Sequence, residues 1–328
     1  MKIVIPEQLK EELPKSTYGK ILGATPVVMT VIATMLAGLA SSEMTRAQYF
    51  RSFAAQMQSK AGDQWNFFQA KRLRGAMQQN TVDMLRTATE PRALDDETIR
   101  ALLAKLPNPI GSDGKSPGAT SESSILIQHL QAALQRGELP GIVPAPPVDP
   151  GMKAALVAVE SSAPESEIAA LLSKVSNASI DEALLAARNQ VQILETALKP
   201  ITQAIESIQK QSEIPLSQEA PTLEARRMFA RDFLNARLRY AASRYETEAR
   251  LNQAIAGFYE LKVRKSNIEA QRHHARSQRF FFGMLVSQAA VIISTFAVAA
   301  RQRNLLWSLA AGAGLLAIGF AIYVYLYI

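Results

Sequence analysis

Residues 280–300 read FFFGMLVSQAAVIISTFAVAA, and residues 305–328 read LLWSLAAGAGLLAIGFAIYVYLYI. Only Arg301, Gln302, Arg303 and Asn304 stand between them, and neither stretch holds an Asp, Glu, Lys, Arg or His. A helix of about 20 apolar residues, rising about 1.5 Å per residue, crosses a hydrocarbon core about 30 Å thick. A third uncharged run, Ile21–Ser42, lies near the N-terminus. Helices buried in water-soluble proteins seldom stay uncharged for so long, so the three runs are read as transmembrane helices. The fold class expected is all-α.

Outward from these runs the chain divides into seven parts. They are a tail (1–20), transmembrane helix 1 (21–42), an ascending helix (43–90), a Pro/Gly-rich middle (91–221), a returning helix (222–279) and two further spans (280–300 and 305–328). Run 21–42 starts late and leads straight into more helix-like sequence, as a signal anchor does and a cleaved signal does not. Trp307, Tyr323, Tyr325 and Tyr327 sit near the ends of the last span, where amphipathic rings favour the interface. No acid, base or histidine lies within a span, which argues against a proton-coupled pump. Thr30, Thr34, Gly38 and Ser42 recur every four residues on the first span. Such a stripe of small residues lets a helix approach closely. It suits self-association, and contact with the chain's own other spans is the expected use.

With three spans, the large segment and the C-terminus share one side of the membrane. The short segments on the other side hold Lys2, Lys10, Lys15, Lys20, Arg301 and Arg303. Weighting short loops above long domains places the N-terminus in the cytoplasm and the large segment in the periplasm. The 328 residues carry a formal charge of +7, and the segments next to the spans are basic while the middle is acidic. Anionic lipid headgroups suit that distribution. Nucleic acid does not, because the arginines lack interleaved stacking platforms.

Residues 222–279 contain no Pro and one Gly, Gly257. Phe229, Phe233, Ala236, Tyr240, Ser243, Thr247, Leu251, Ala254, Phe258 and Leu261 step by three and four, a heptad-like seam. Phe50, Ala54, Met57, Ala61, Trp65 and Phe68 do the same on the ascending helix, with Gly62 a weak point. Two such helices leaving adjacent spans are expected to pair as a long antiparallel stalk. Counting 1.5 Å per residue from the spans sets Asp63 level with Tyr259. Asp63 is then expected to meet Lys262 or Tyr259, and Trp65 and Phe68 to pack near Phe258 or Ala254. The middle is expected to be a small helical head with helices over 94–106, 121–136 and 165–175. Another should be opened by the Ser179–Glu182 capping box and kinked at Pro200. Residues 140–151 read as an extended connector.

Catalytic constellations are hard to find. Without cysteine there are no disulfides, thiolate metal sites or cysteine nucleophiles. Gly111-Ser112-Asp113-Gly114-Lys115 lacks the spacing of a phosphate loop and reads as a turn. His273 and His274 are adjacent, so they point to different sides of a helix and cannot chelate one metal in the usual i, i+4 manner. No metal, cofactor or enzymatic activity is expected.

The densest stretch is Gly62-Asp63-Gln64-Trp65-Asn66-Phe67-Phe68-Gln69-Ala70-Lys71. Trp65, Phe68 and Arg72 share a helical face, so a cation–π contact from Arg72 is available. Asp63, Gln64 and Trp65, followed by Gln69, Ala70 and Lys71, resemble the Asp-Gln-Trp-x-Tyr-Tyr-Gln-Ala-Lys signature of a bacterial membrane-protein family, domain of unknown function 4337. The resemblance covers residues 20–75 and 245–328, and Phe67 and Phe68 stand where that signature has tyrosines. It implies one N-terminal span and a C-terminal hairpin of two spans with a basic turn, and no activity. Together these features predict a non-catalytic subunit of a bacterial inner membrane, structural or scaffolding, that self-associates or binds another membrane protein. A channel or transport accessory is the alternative.

Overall fold

The computed structural model describes residues 17–104, 119–140, 148–213, 223–299 and 303–327. Among them there is no strand. The helices are α1 (Thr17–Thr89), α2 (Asp96–Ala104), α3 (Ala119–Arg136), α4 (Pro150–Glu160), α5 (Glu165–Leu172), α6 (Asn177–Glu213), α7 (Leu223–Ala299) and α8 (Arg303–Tyr327). The protein is all-helical, as its sequence indicates. α1, α7 and α8 each contain a stretch long and apolar enough to cross a membrane, with mean hydropathy 1.7, 1.9 and 2.0. The tail before residue 17, the Gly111–Lys115 turn, residues 141–147 and the Arg301–Gln302 part of the hairpin turn lie outside the described residues.

The chain forms two compact units. The first comprises Met1–Gln56 and Val263–Ile328. Its buried line on α1 is Met29, Ala33, Leu36, Ala40, Glu43 and Ala47, spaced by four and three. On α7 the buried positions are mostly small: Ala270, Ser277, Ser287, Ala290, Ser294 and Ala297. On α8 they are Ala310, Ala317 and Val324, seven apart. Leu36, Ala40, Phe280, Ala317 and Val324 form the apolar core. Ser277 donates its hydroxyl to the Ala40 carbonyl at 2.7 Å, and Trp307 Nε1 donates to Thr25 Oγ1 at 2.9 Å. Small contact residues with hydrogen bonds across helices are what association in lipid requires, because hydrocarbon removes the hydrophobic drive between helices. The outward residues are large and apolar, among them Val31, Met35, Phe282, Phe296, Leu315 and Leu316. Such a surface is unfavourable in water and suits an apolar solvent.

The second unit is Met57–Lys262. Leu94, Ile99, Leu130, Leu134, Leu198, Ile201, Ile205 and Phe233 make its main core. Each such side chain contributes about 1.5–3 kcal/mol on full burial. α1 ends at Thr89, and Glu90 follows with φ +43°. That exit is fastened by Arg231, which donates to the Thr89 carbonyl, and by Asp232, which accepts from the Arg92 backbone N–H. α3 stops at Gly137, whose φ of +69° favours a residue without Cβ. Arg239 on α7 donates to the last α3 carbonyls, Gln135 and Arg136.

Several local expectations change. α4 was not anticipated: Pro150 reads as loop punctuation, yet it occupies the first helical position, where its missing N–H costs nothing. Asp149 caps that helix by accepting from Gly151 and Met152. α6 opens at Asn177, two residues before the expected Ser179, because the Ser176 hydroxyl accepts from the Ser179 backbone N–H. Pro200 lies inside this helix, which continues to Glu213. The large-residue seam counted on α7 also faces elsewhere than expected. Phe229, Phe233, Ala236, Tyr240 and Leu251 pack into the core that α3 and α6 share, and Ala254 is exposed. Near α1 the α7 positions include Ala242 and Ala249, which border Gly75 and Arg72, and Ala256, seven residues on, is fully buried; a search for bulky residues passes over all three.

Candidate functional site

In the second unit the motif wraps around α1, and its members part company. Met57, Ala61, Gln64, Phe68, Lys71, Gly75 and Val82 follow one line by threes and fours, or by seven. That line contains two motif residues, Gln64 and Lys71. Asp63, Gln69 and Ala70 are exposed. Trp65 Nε1 donates to Glu260 Oε1 at 2.8 Å, and its ring meets Phe68 edge-on at 5.4 Å. The Arg72 guanidinium lies 5.8 Å over the Phe68 ring, worth about 0.5–1 kcal/mol at an exposed position. Tyr259 bonds to Arg188, and Lys262 pairs with Asp181.

Lys71 reaches a charged part of the interior. Its ammonium pairs with Glu248 Oε2 and lies 5.5 Å over the Tyr245 ring. Glu248 is only 8% exposed. Its other oxygen accepts from Arg244 Nε at 2.6 Å. Arg244 in turn donates to Thr202 Oγ1 at 3.1 Å, and that hydroxyl lies 3.3 Å from the Tyr240 hydroxyl. One buried carboxylate thus joins α1, α6 and α7 through two cations. Burial works against the Arg244 charge, yet the hydrogen bond and field of Glu248 outweigh it and raise the group above its ordinary value. Burial also pushes the Tyr240 phenol up, against smaller opposing effects of Thr202 and Arg244. Beside this network lies a cavity of about 340 Å³, lined by Gln64, Phe67, Lys71, Arg188, Glu195 and Glu248 among others. Gln64 Oε1 is buried with no hydrogen-bond partner. Gly75 completes the close approach of α1 and α7: a Cβ there would lie 3.4 Å from Tyr245 Cβ.

The first unit holds a second buried pair. His273 Nδ1 lies 2.6 Å from Glu43 Oε2, both side chains being 12% exposed, and the Phe50 ring stacks on the imidazole at 5.4 Å. Arg46 also approaches Glu43. His274 turns the other way, to Gln278, as adjacent histidines on a helix must. The stripe Thr30, Thr34, Gly38 and Ser42 is exposed throughout, and a Cβ on Gly38 would meet nothing within 4 Å. Contact with the chain's own spans falls instead to the adjacent line through Ala33 and Ala40. Thr30 and Thr34 return their hydroxyls to the carbonyls one turn back.

Sequence reasoning found Lys71 and Trp65 but missed Glu248, Arg244, Glu43 and Gly75. The available signal was a charged residue at a heptad position: Glu43 and Lys71 both fall on the buried line. Among the described residues no group of three or more His, Asp or Glu could hold a metal ion. Residues 19–114 match a family described as Domain of unknown function (DUF4337). The matched segment contains α1 from residue 19 onward and the whole motif; the second part of the resemblance, 245–328, lies beyond it. No curated protein and no solved structure matches the chain.

Proposed function

We propose that the chain is a non-catalytic structural or scaffolding subunit of a membrane assembly, held in a bacterial inner membrane by three spans. In this role residues 57–89 of α1 and 223–262 of α7 form an antiparallel stalk, and α2–α6 form a small helical head. One observation supports it above the rest. The polar groups around the motif engage neighbouring helices: Lys71 holds Glu248, Trp65 holds Glu260, and Arg188 holds Tyr259. Such groups tie helices together; a catalytic set would turn reactive atoms toward a substrate. The exposed stripe from Thr30 to Ser42 supports association with a second copy or another membrane protein. The basic segments flanking the spans support contact with anionic lipid.

Two experiments test the proposal. Cross-linking and native gels on solubilised membranes should give an assembly larger than one chain, and vesicles containing it should show no solute flux. A monomer that conducts ions would overturn a scaffolding role. Orientation is read by single-cysteine labelling, which the cysteine-free sequence makes clean. A Ser161→Cys chain should react with an impermeant maleimide added from the periplasmic side. Labelling only after the inner membrane is opened would reverse the assignment.

A further inference from the structure

We infer that the first unit carries a binding site for one anionic phospholipid, in a groove between α1 and α7 where their apolar runs end. This rests on the reading of those runs as membrane spans. The groove holds about 650 Å³, within the usual range for small-molecule sites. Ala37, Ser41 and Met44 form one wall, and His274, Phe281 and Phe282 the other. The uncharged runs stop at Ser42 and begin again at Phe280, so the groove straddles that boundary. Ala37 and the two phenylalanines give it an apolar half suited to an acyl chain. Ser41, His274 and Gln278 give it a polar half.

Two observations favour an anionic headgroup at that polar half. First, His274 Nε2 is engaged by Gln278, while Nδ1 is buried with no hydrogen-bond partner. When the Gln278 amide N–H donates to Nε2, the neutral ring carries its proton on Nδ1, a donor ready for a phosphate oxygen. Second, the surroundings are positive. Residues 43–56 and 263–279 together hold seven Lys/Arg against two Asp/Glu, and one of those acids, Glu43, is already paired with His273 and Arg46. Arg51 lies two helical turns beyond Met44 on the face of α1 that lines the groove. A phosphate at the mouth of the groove therefore meets a donor and a positive field, with its acyl chain in contact with aromatic and small apolar walls.

The test uses the full chain in detergent, with native mass spectrometry after adding phosphatidylglycerol, phosphatidylcholine or inorganic phosphate. Phosphatidylglycerol should remain bound, one per chain, at about a tenth of the concentration phosphatidylcholine needs, because both offer a phosphate oxygen but only phosphatidylcholine brings a cation into the positive field, a difference of about 1.4 kcal/mol. Inorganic phosphate should not displace it. His274→Ala, which removes a donor that both phosphates can use, should weaken retention of both lipids, and Ala37→Leu, which fills the groove, should abolish it, each leaving helix content unchanged by circular dichroism. If one variant misfolds, the other decides. Equal retention of the two lipids, displacement by phosphate, or unaltered binding by the folded variants would overturn the site. So would a stable dimer cross-linked through Phe281 or Phe282, because a second copy would then fill the groove. A chain that stays soluble without detergent would overturn the membrane reading itself, a result distinct from any of these.

Discussion

Replacing Glu248 gives the sharpest test of how the second unit is held together. In Glu248→Leu, Lys71 and Arg244 lose their common anion while still packed between helices. Removing one partner of a fully buried ion pair costs about 3–5 kcal/mol, because the other charge stays desolvated. Here the side chains of Lys71 and Arg244 remain 26% and 31% exposed, so water relieves part of the strain. The expected loss is therefore below that range, about 2–3 kcal/mol. For a unit of this size each kcal/mol moves the midpoint by about 2–4 °C, which gives a fall of about 4–12 °C. The chain has two tryptophans, Trp65 in this unit and Trp307 in the other. A Trp307→Phe background therefore leaves Trp65 as a local reporter, one whose indole N–H is bonded to Glu260. Thermal unfolding followed by Trp65 emission should show the fall. Adding Lys71→Met and Arg244→Leu to Glu248→Leu should recover most of it, because an apolar replacement of a whole buried cluster is often neutral or stabilising. If Glu248→Leu unfolds at the parental temperature, or the triple variant is worse than the single, the network is not what couples these helices.

Three further outcomes follow from single positions. Gly62→Ala should raise the midpoint by about 2–4 °C, since alanine favours a helix by about 1 kcal/mol over glycine and a Cβ there meets nothing within 4 Å; any loss of stability would reveal a contact the helix needs. Ser287→Ala should be neutral or stabilising in a denaturing-detergent titration, because the Ser287 hydroxyl is buried without a partner. Tyr240 keeps its proton longer in the folded chain than in the unfolded one, so its contribution is complete below the ordinary tyrosine value of about 10 and fades as pH rises above it. Alkaline unfolding of Tyr240→Phe should accordingly be shallower with pH than that of the parent.

The long helices and apolar spans were legible because both signals are written in consecutive residues: uncharged runs, and the absence of Pro over 222–279. Counting along the helices was also informative. It set Asp63 level with Tyr259, and Trp65 bonds Glu260, within a turn of that level. What escaped notice was the face each residue takes. Aromatic and branched residues on α7 draw the eye to one seam, yet they pack toward α3 and α6. The approach of α1 is lined by Ala242 and Ala249, whose value lies in being small. α4 was missed for a different reason: Pro150 breaks a helix when it falls inside and starts one when it falls at the first position.

A seam of small residues leaves one matter open, which the buried charges resolve. On α1, Ala33, Ala40, Ala47, Ala54 and Ala61 stand seven apart and all are buried; Ala242, Ala249 and Ala256 repeat at the same interval on α7. Helices with such faces can slide by seven residues and still match small against small. The interleaved positions forbid it. A slip of seven would set Lys71 against Ala241 or Ile255 in place of Glu248, and Glu43 against Ser266 or Phe280 in place of His273. Each slip leaves a buried charge unpaired, a cost of several kcal/mol. Register is thus a job for the polar residues, as with a single polar position in a coiled coil. Cysteines can read it directly. The ideal Cβ at Gly75 is 3.4 Å from Tyr245 Cβ, close to the 3.5–4.5 Å of a disulfide. Gly75→Cys with Tyr245→Cys should cross-link readily on oxidation, and Gly75→Cys with Asn252→Cys should not. In the chain carrying Lys71→Met, Arg244→Leu and Glu248→Leu together with Glu43→Leu and His273→Leu, which removes both locks, the slipped pair should begin to cross-link as well. Equal cross-linking of the two pairs in the unaltered background would show that the alanine seam alone sets the register, and that Lys71 and Glu248 do not.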